Sequence, residues 1–475
     1  MFTRRTLLQN AIKVSAGVAL APATRYCSAS SQLVSLRLAK AAPVPVAADF
    51  MGLGYEMSSV APLGLLSVTN KNYLALIKGL SQQGVLRVGG IVADYTHYRP
   101  KGSILAKPED TVITRASLEQ FAAFLKELSW TAIWSLNFAH GSLDDAITEA
   151  RAVSNALGPQ LLALELGNEV ENYSHGNRPI RKAPYAFEDF RTEWRSWHDA
   201  ILKAVPGVRF AAPDTAGSVE WVERMAQDAR GDVQLLTTHY YRENQKRGSA
   251  QLLSTPDPRL LNVLERLRTA SQQSGIPWRM CETNSFSGGG LPGVSDTFLG
   301  ALWTLDFMLL LASYGCSGVN IETGVNQLGF ISCYSPIADD GAGRNTAGVP
   351  YYGMLAFAEA SRGCSEMFPL DLGLQEPNLT SYALGASGRP LSLVVVNRDR
   401  TRDALISVAD LDLGGVTIQR LLAPTPESMT SVTFGDATVD AEGRWKAKQL
   451  ETIHNVRITV PRMSAIVLRR ADAHP

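Results

Sequence analysis

The chain has 475 residues, with 45 Lys+Arg and 45 Asp+Glu, so its net charge is zero. That length excludes a single domain of ordinary size, and a barrel of about 250 residues or more plus a smaller domain fits it. Overall neutrality gives no support to nucleic acid or an anionic membrane as partner, although it allows a local cationic pocket.

The chain opens Met1-Phe2-Thr3-Arg4-Arg5, followed by a weakly apolar run from Ala11 to Ala21 and then Pro22-Ala23-Thr24. Paired arginines before such a run resemble a twin-arginine export signal, covering residues 1–31 and cut between Ala23 and Ser31. The reading places the mature protein in the periplasm or outside the cell; its rival is an amphipathic N-terminal helix of a cytoplasmic protein. The run is too short to span a bilayer, and Arg25-Tyr26 before Cys27 is a poor context for lipid attachment, so no membrane anchor is expected. Of the five cysteines, Cys27 falls within the cleavage window of the signal, and Cys281, Cys316, Cys333 and Cys364 lack the spacing of a zinc site. Their pairing stays open.

Residues 32–48 are expected to be extended and to pair with the β-rich tail. Eight strand-like runs follow: Asp49 to Tyr55, Val85 to Gly89, Ala132 to Asn137, Leu161 to Gly167, Val208 to Pro213, Val233 to Tyr240, Trp278 to Glu282 and Gly318 to Glu322. Between them, segments such as Leu118 to Leu128, Ser142 to Leu157, Phe187 to Ala204 and Pro258 to Ser274 repeat apolar residues three and four apart. This α/β alternation predicts parallel units. Eight of them predict a (β/α)8 TIM barrel over residues 49–362, although an open sheet would alternate in the same way. Thr297 to Ser313 is long and apolar but carries Asp306, and is expected to be a barrel helix rather than a membrane span. Beyond it, short alternating runs from Ser381 to Arg469, punctuated by Pro, Gly and Asp, predict a C-terminal antiparallel β-sandwich over 363–475.

The fourth run, Leu161 to Gly167, reads as a strand buried on both faces and stops at Asn168-Glu169. The seventh stops at Cys281-Glu282-Thr283-Asn284. Strand C-termini build the site of a (β/α)8 barrel, and two carboxylic acids held there suit glycosidic bond cleavage. Either glutamate alone could instead cap a helix or pair with a surface lysine. Glu165, inside the fourth strand, is read as a buried acid that needs an arginine partner.

The set Arg87-Val88-Gly89-Gly90, Leu166-Gly167-Asn168-Glu169, Cys281-Glu282-Thr283-Asn284-Ser285, Gly288-Gly289-Gly290 and Ser295-Asp296-Thr297-Phe298 resembles glycoside hydrolase family 79, the family of β-glucuronidases and heparanases. The likeness runs from about residue 50 to 470 and implies a retaining hydrolase that uses no metal or other cofactor. It implies Glu169 as acid/base and Glu282 as nucleophile. Asn168 would bond the sugar 2-hydroxyl, and Arg87 would hold Glu282 ionised. A tyrosine ending strand six, Tyr240 or its neighbour Tyr241, would donate to the nucleophile. Glu56 and Asp94 would bind sugar hydroxyls. Family members that bind glucuronate carry a tyrosine five residues after the nucleophile, where this chain has Ser287. Ser287-Gly288-Gly289 would offer backbone amides to the carboxylate instead, with Tyr334 as a phenol donor. The expected function is an exo-β-glucuronidase acting on a carbohydrate. Another retaining β-glycosidase, an endo-acting heparanase-like enzyme, and a noncatalytic carbohydrate-binding protein are the alternatives.

Overall fold

The computed structural model describes residues 33–471, apart from 105–106, 108–109, 176–178, 230, 326–330, 340–342, 374–377, 412, 414, 449 and 454–455. The export signal read at residues 1–31 lies outside the described residues.

Eight parallel strands form the central sheet: β1 (Gly52–Glu56), β2 (Val85–Gly89), β3 (Thr131–Leu136), β4 (Leu161–Leu166), β5 (Ala211–Thr215), β6 (Leu235–Asn244), β7 (Trp278–Ser287) and β8 (Val319–Glu322). They neighbour one another in chain order, β8 returns to β1, and a bridge between Leu164 and Phe210 joins β4 to β5. The sheet therefore closes into a (β/α)8 barrel. Strand-end chemistry explains the helices between them. Thr114 and Ser142 accept the backbone N–H of Ser117 and Asp145, so each caps the helix that follows it.

Inward residues alternate along each strand, which sorts the lumen by height. Val85, Ile133, Ala163, Ala211 and Leu235 make an apolar plug. Two residues further along β2, β3 and β4 stand Arg87, Ser135 and Glu165, all buried. The polar layer thus sits on an apolar floor, directly below the strand ends.

The C-terminal part is an antiparallel β-sandwich, and it uses both faces of its larger sheet. Along Arg389–Asn397, Leu393 and Val395 join the sandwich core while Val394 and Val396 join the barrel core. The period of two thus makes the strand apolar on both sides. The strand Leu33–Leu38 lies in the smaller sheet, parallel to Ala404–Asp410. The helix Phe298–Ser313 is apolar all round because barrel and sandwich enclose it. Its one acid, Asp306, is bound by Arg398 at 3.0 Å and by the Tyr382 hydroxyl at 2.9 Å. Among the described residues no helix is long and apolar enough to cross a membrane.

Three strands run at least two residues beyond the C-terminal ends read from the sequence. β5 runs to Thr215 rather than stopping at Pro213, and β6 and β7 continue to Asn244 and Ser287. A proline lacks only its own N–H, so β5 keeps pairing with β6 beyond it, Thr238 opposite Thr215.

One buried acid gives a stability test away from the strand ends. Trp134 Nε1 donates to Glu149 Oε1 at 2.9 Å. Burial pushes the Glu149 carboxyl up to about 7. The folded state therefore keeps a proton that the unfolded chain releases near about 4.3, so this contribution is full below that value and falls as pH rises toward about 7. Glu149→Gln keeps an acceptor for Trp134 and removes the titration. The melting temperature of the variant relative to wild type should rise between about pH 5 and pH 7. A difference that does not change with pH would mean that Glu149 titrates normally in the fold.

Candidate active site

β4 ends in a tight turn. Gly167 has φ 82° and Glu169 φ 50°, both left-handed. A Cβ at Gly167 would strike the Tyr173 hydroxyl, so glycine is required there. The turn is tied to β5 by the Glu169 N–H, which donates to the Asp214 carbonyl at 2.8 Å. Glu169 is left partly exposed at the barrel mouth, its side chain 34 % accessible.

Glu282 stands across from it on β7, 12 % accessible. Arg87 Nη1 donates to Glu282 Oε2 at 2.6 Å, and the Tyr241 hydroxyl donates to Oε1 at 2.8 Å. His239 lies between the two glutamates: its Nδ1 is 3.3 Å from Glu169 Oε1 and 3.9 Å from Glu282 Oε2. One carboxylate oxygen from each of Glu169 and Glu282 and one ring nitrogen of His239 fall within 4.8 Å of one another.

Beneath them lies a buried ionic network. Arg87 also donates to Glu165 at 3.2 Å, Asn168 Oδ1 at 2.9 Å and Asp214 Oδ2 at 2.5 Å. His239 Nε2 meets Asp214 Oδ1 at 2.8 Å. Burial opposes the charge on His239, but Asp214 and then Glu282 outweigh it and hold the imidazole protonated well above its ordinary value. Burial likewise opposes ionisation of Asp214, yet Arg87 and His239 hold that carboxyl below its ordinary range. Other acids keep their protons to higher pH than usual. Burial and then Asp214 push Glu165 up to about 7, and burial and then Glu282 push Glu322 up to about 8. The network therefore avoids a row of unpaired anions, which would each cost several kcal/mol, about the penalty of one buried charge.

The sequence-predicted residues fall in different places. Arg87, Asn168, Glu169 and Glu282 come together as described. Glu56 is buried at the end of β1, where its Oε2 accepts the Val92 N–H at 2.9 Å. Burial, then Glu322 and Glu282, raise its carboxyl above the ordinary range. Asp94 is buried behind Asn168: it accepts from the Tyr173 hydroxyl at 2.7 Å, and that oxygen accepts the Asn168 N–H at 3.4 Å. Ser287 Oγ accepts from Asn244 at 3.2 Å, and the Gly288 carbonyl accepts from Gln245 at 2.6 Å. Gly288, Gly289 and Gly290 are all left-handed, with φ 84°, 93° and 88°. The Cys333 N–H donates to the Gly289 carbonyl at 2.9 Å, which brings this turn beside Tyr334. Tyr334 is 3 % exposed and stacks on Tyr241 at 6.4 Å.

Tyr240 needs correction. Its hydroxyl donates to Asp257 at 2.9 Å and its ring stacks on Phe307 at 5.3 Å, outside the barrel. The reason is strand parity. In the register with β7, His239 lies opposite Glu282 and Tyr241 opposite Asn284, whereas Tyr240 lies opposite Thr283. Laterally paired residues share a face, so Tyr241 points inward. The sequence reading also missed His239 and Asp214. The parity of His239 with Tyr241 was a signal for the first. Asp214 was missed because the sequence reading stopped β5 at Pro213, the residue before it. The four described cysteines are unpaired thiols.

No family model matches the chain. It is 26 % identical over 522 aligned residues to a β-glucuronidase of Aspergillus niger, covering 93 % of this chain and 94 % of that one. It is 28 % identical over 231 residues to a β-glucuronidase of Neurospora crassa, covering 42 % of this chain and 40 % of that one. Among solved structures it is similar to a 4-O-α-L-rhamnosyl-β-D-glucuronidase from Fusarium oxysporum. That match has TM-score 0.76 and 18 % identity, and covers 92 % of this chain and 100 % of the other. An α-L-arabinofuranosidase from Thermotoga maritima shares the fold at TM-score 0.65 and 14 % identity, over 92 % of this chain and 99 % of its own.

Proposed function

We propose that the chain is a retaining exo-β-glucuronidase of glycoside hydrolase family 79, releasing terminal β-linked glucuronic acid from a glycan or glycoside. The observation that carries the mechanism is the approach of Glu169 and Glu282, whose nearest oxygens are within 4.8 Å. Retaining enzymes keep their carboxyl groups about 5–5.5 Å apart, and inverting ones about 6.5–9.5 Å to admit a water.

In this reading Glu282 attacks the anomeric carbon as the glycosidic C–O bond breaks. Glu169 gives its proton to the departing oxygen. Glu169 then takes a proton from water, whose oxygen displaces Glu282 from the anomeric carbon, and configuration is retained. Arg87 and Tyr241 each donate to one oxygen of Glu282, which aims the carboxylate. His239 engages Oε1 of Glu169 and leaves Oε2 to carry the transferred proton. Arg87 holds Asn168 Oδ1, so the amide nitrogen is the end left to donate to the sugar.

The β-glucuronidase relatives support glucuronic acid as the sugar; the arabinofuranosidase likeness concerns the fold. The carboxylate is assigned to the Ser287–Gly289 turn and Tyr334, which the Cys333 contact holds side by side. Export, read from Arg4 and Arg5, belongs to the same proposal.

A panel of nitrophenyl β-glycosides tests it. Wild type should prefer the glucuronide to the glucoside, galactoside and xyloside. Preference for a neutral sugar would reject the uronate. Gly289→Ala adds a side chain at a left-handed position. In folded protein it should lower the glucuronide-to-glucoside ratio of kcat/KM at least tenfold, about 1.4 kcal/mol. An unchanged ratio would take the carboxylate away from this turn.

A further inference from the structure

Asp214 sits on β5, two strands from the nucleophile and next to the acid/base, and touches neither of their carboxylates by any bond described above. It is 1 % exposed, and its backbone is left-handed at φ 60°. Aspartate tolerates that region better than most residues but is still strained there, and such strain collects at functional sites. Each of its oxygens holds one cation. Oδ2 accepts from Arg87 Nη2 at 2.5 Å and Oδ1 accepts from His239 Nε2 at 2.8 Å. The far side of each cation holds one glutamate: Arg87 Nη1 reaches Glu282 at 2.6 Å, and His239 Nδ1 reaches Glu169 at 3.3 Å. The backbone repeats the link, because the Glu169 N–H donates to the Asp214 carbonyl at 2.8 Å.

We propose that Asp214 is a positioning residue that couples the two glutamates, fixing Arg87 against Glu282 and His239 against Glu169 at once. The inference rests on the proposed roles of those glutamates. The other groups packed here cannot replace it. Glu165 also meets Arg87, at 3.2 Å, but its carboxyl is pushed up to about 7 by burial and Asp214. Cys281, whose thiol points at Asp214 Oδ1 at 3.1 Å, is held protonated chiefly by burial. Asp214 is the group that stays ionised between the two cations, held so by Arg87 and His239 against its own burial. An isosteric amide would fail for a simple reason. It has one acceptor oxygen, and its NH2 would face the second cation with a donor.

The test uses the full chain. Asp214→Asn should lower kcat about 100-fold or more and move KM less than about threefold, the pattern of displaced reacting groups rather than lost binding. The loss should be similar for activated and poor leaving groups, because both glutamates are displaced. His239→Asn should cause part of the same loss, and Asp214→Asn/His239→Asn should be less harmful than the product of the singles, since the two act along one link. A folded Asp214→Asn enzyme with kcat close to wild type, or singles that multiply in the double, overturns the proposal. Should Asp214→Asn not fold, imidazole NMR of wild type decides. The His239 ring should stay protonated well above neutrality, and titration at about 6.5, the ordinary value, overturns the proposal. Glu282→Gly with azide separates this from the functional reading. Failure of azide rescue removes the nucleophile assignment, whereas rescue alongside an ordinary His239 titration removes only the coupling role of Asp214.

Discussion

Glu282→Gln is expected to cut turnover of a nitrophenyl glucuronide by at least a thousandfold, about 4 kcal/mol in the barrier. Two effects combine. An amide is too poor a nucleophile to form the glycosyl ester. It also disturbs the donors built for a carboxylate, since Arg87 and Tyr241 both donate to Glu282 and an amide NH2 cannot accept from either. Chemical rescue gives the sharper result. Glu282→Gly opens a space on the face opposite the leaving group, and azide entering there should yield a glycosyl azide of inverted anomeric configuration. A product of retained configuration, or substantial activity in Glu282→Gln, would show that another group attacks the sugar.

Glu169→Ala should be nearly as severe on a poor leaving group, about 100-fold to 10,000-fold, the usual span of general acid–base catalysis. The loss should shrink on a dinitrophenyl glucuronide, whose oxygen departs with little protonation. The position explains the split. Glu169 is partly exposed and lies at the mouth, where a leaving group passes, while Glu282 is more enclosed. Equal losses on both substrates, measured where bond cleavage limits the rate, would count against Glu169 as the proton donor. Damage from lost packing is not expected, because Glu169 anchors through its backbone N–H, which alanine keeps.

How far the site was readable depended on each residue's relation to its own strand. Glu169 and Glu282 follow apolar runs that stop abruptly, so both stood out. Arg87 was picked out by the family resemblance, and it lies inside β2 rather than at its end. Glu165 was read as a buried acid in need of an arginine, and Arg87 meets it at 3.2 Å. Tyr240 and Tyr241 could not be separated, because both are aromatic residues at the end of one apolar run. Inward and outward positions differ by a single residue, and only the pairing with β7 fixes which is which. That register shifts between Thr238 and His239, where β7 carries an extra residue, Cys281, and no local pattern announces the shift.

The sequence by itself determined the alternation of strand and helix, the change to short alternating strands in the tail, and the two apolar runs that lead into acids, although the strand that carries Glu282 continues past it. These are local properties: periodicity of two or 3.6, and the point where an apolar run meets a polar residue. The tertiary structure decided which groups share the space between those ends. Barrel closure joins β4 to β5, which sets Asp214 against Arg87 from β2 and His239 from β6. It also decided which carboxyls ionise. Glu165 and Glu322 rise to about 7 and about 8 while Asp214 falls below its ordinary range, although all three are buried. Burial acts on each in the same direction; Arg87 and His239 together reverse it at Asp214, whereas the neighbouring anion adds to it elsewhere, Asp214 at Glu165 and Glu282 at Glu322.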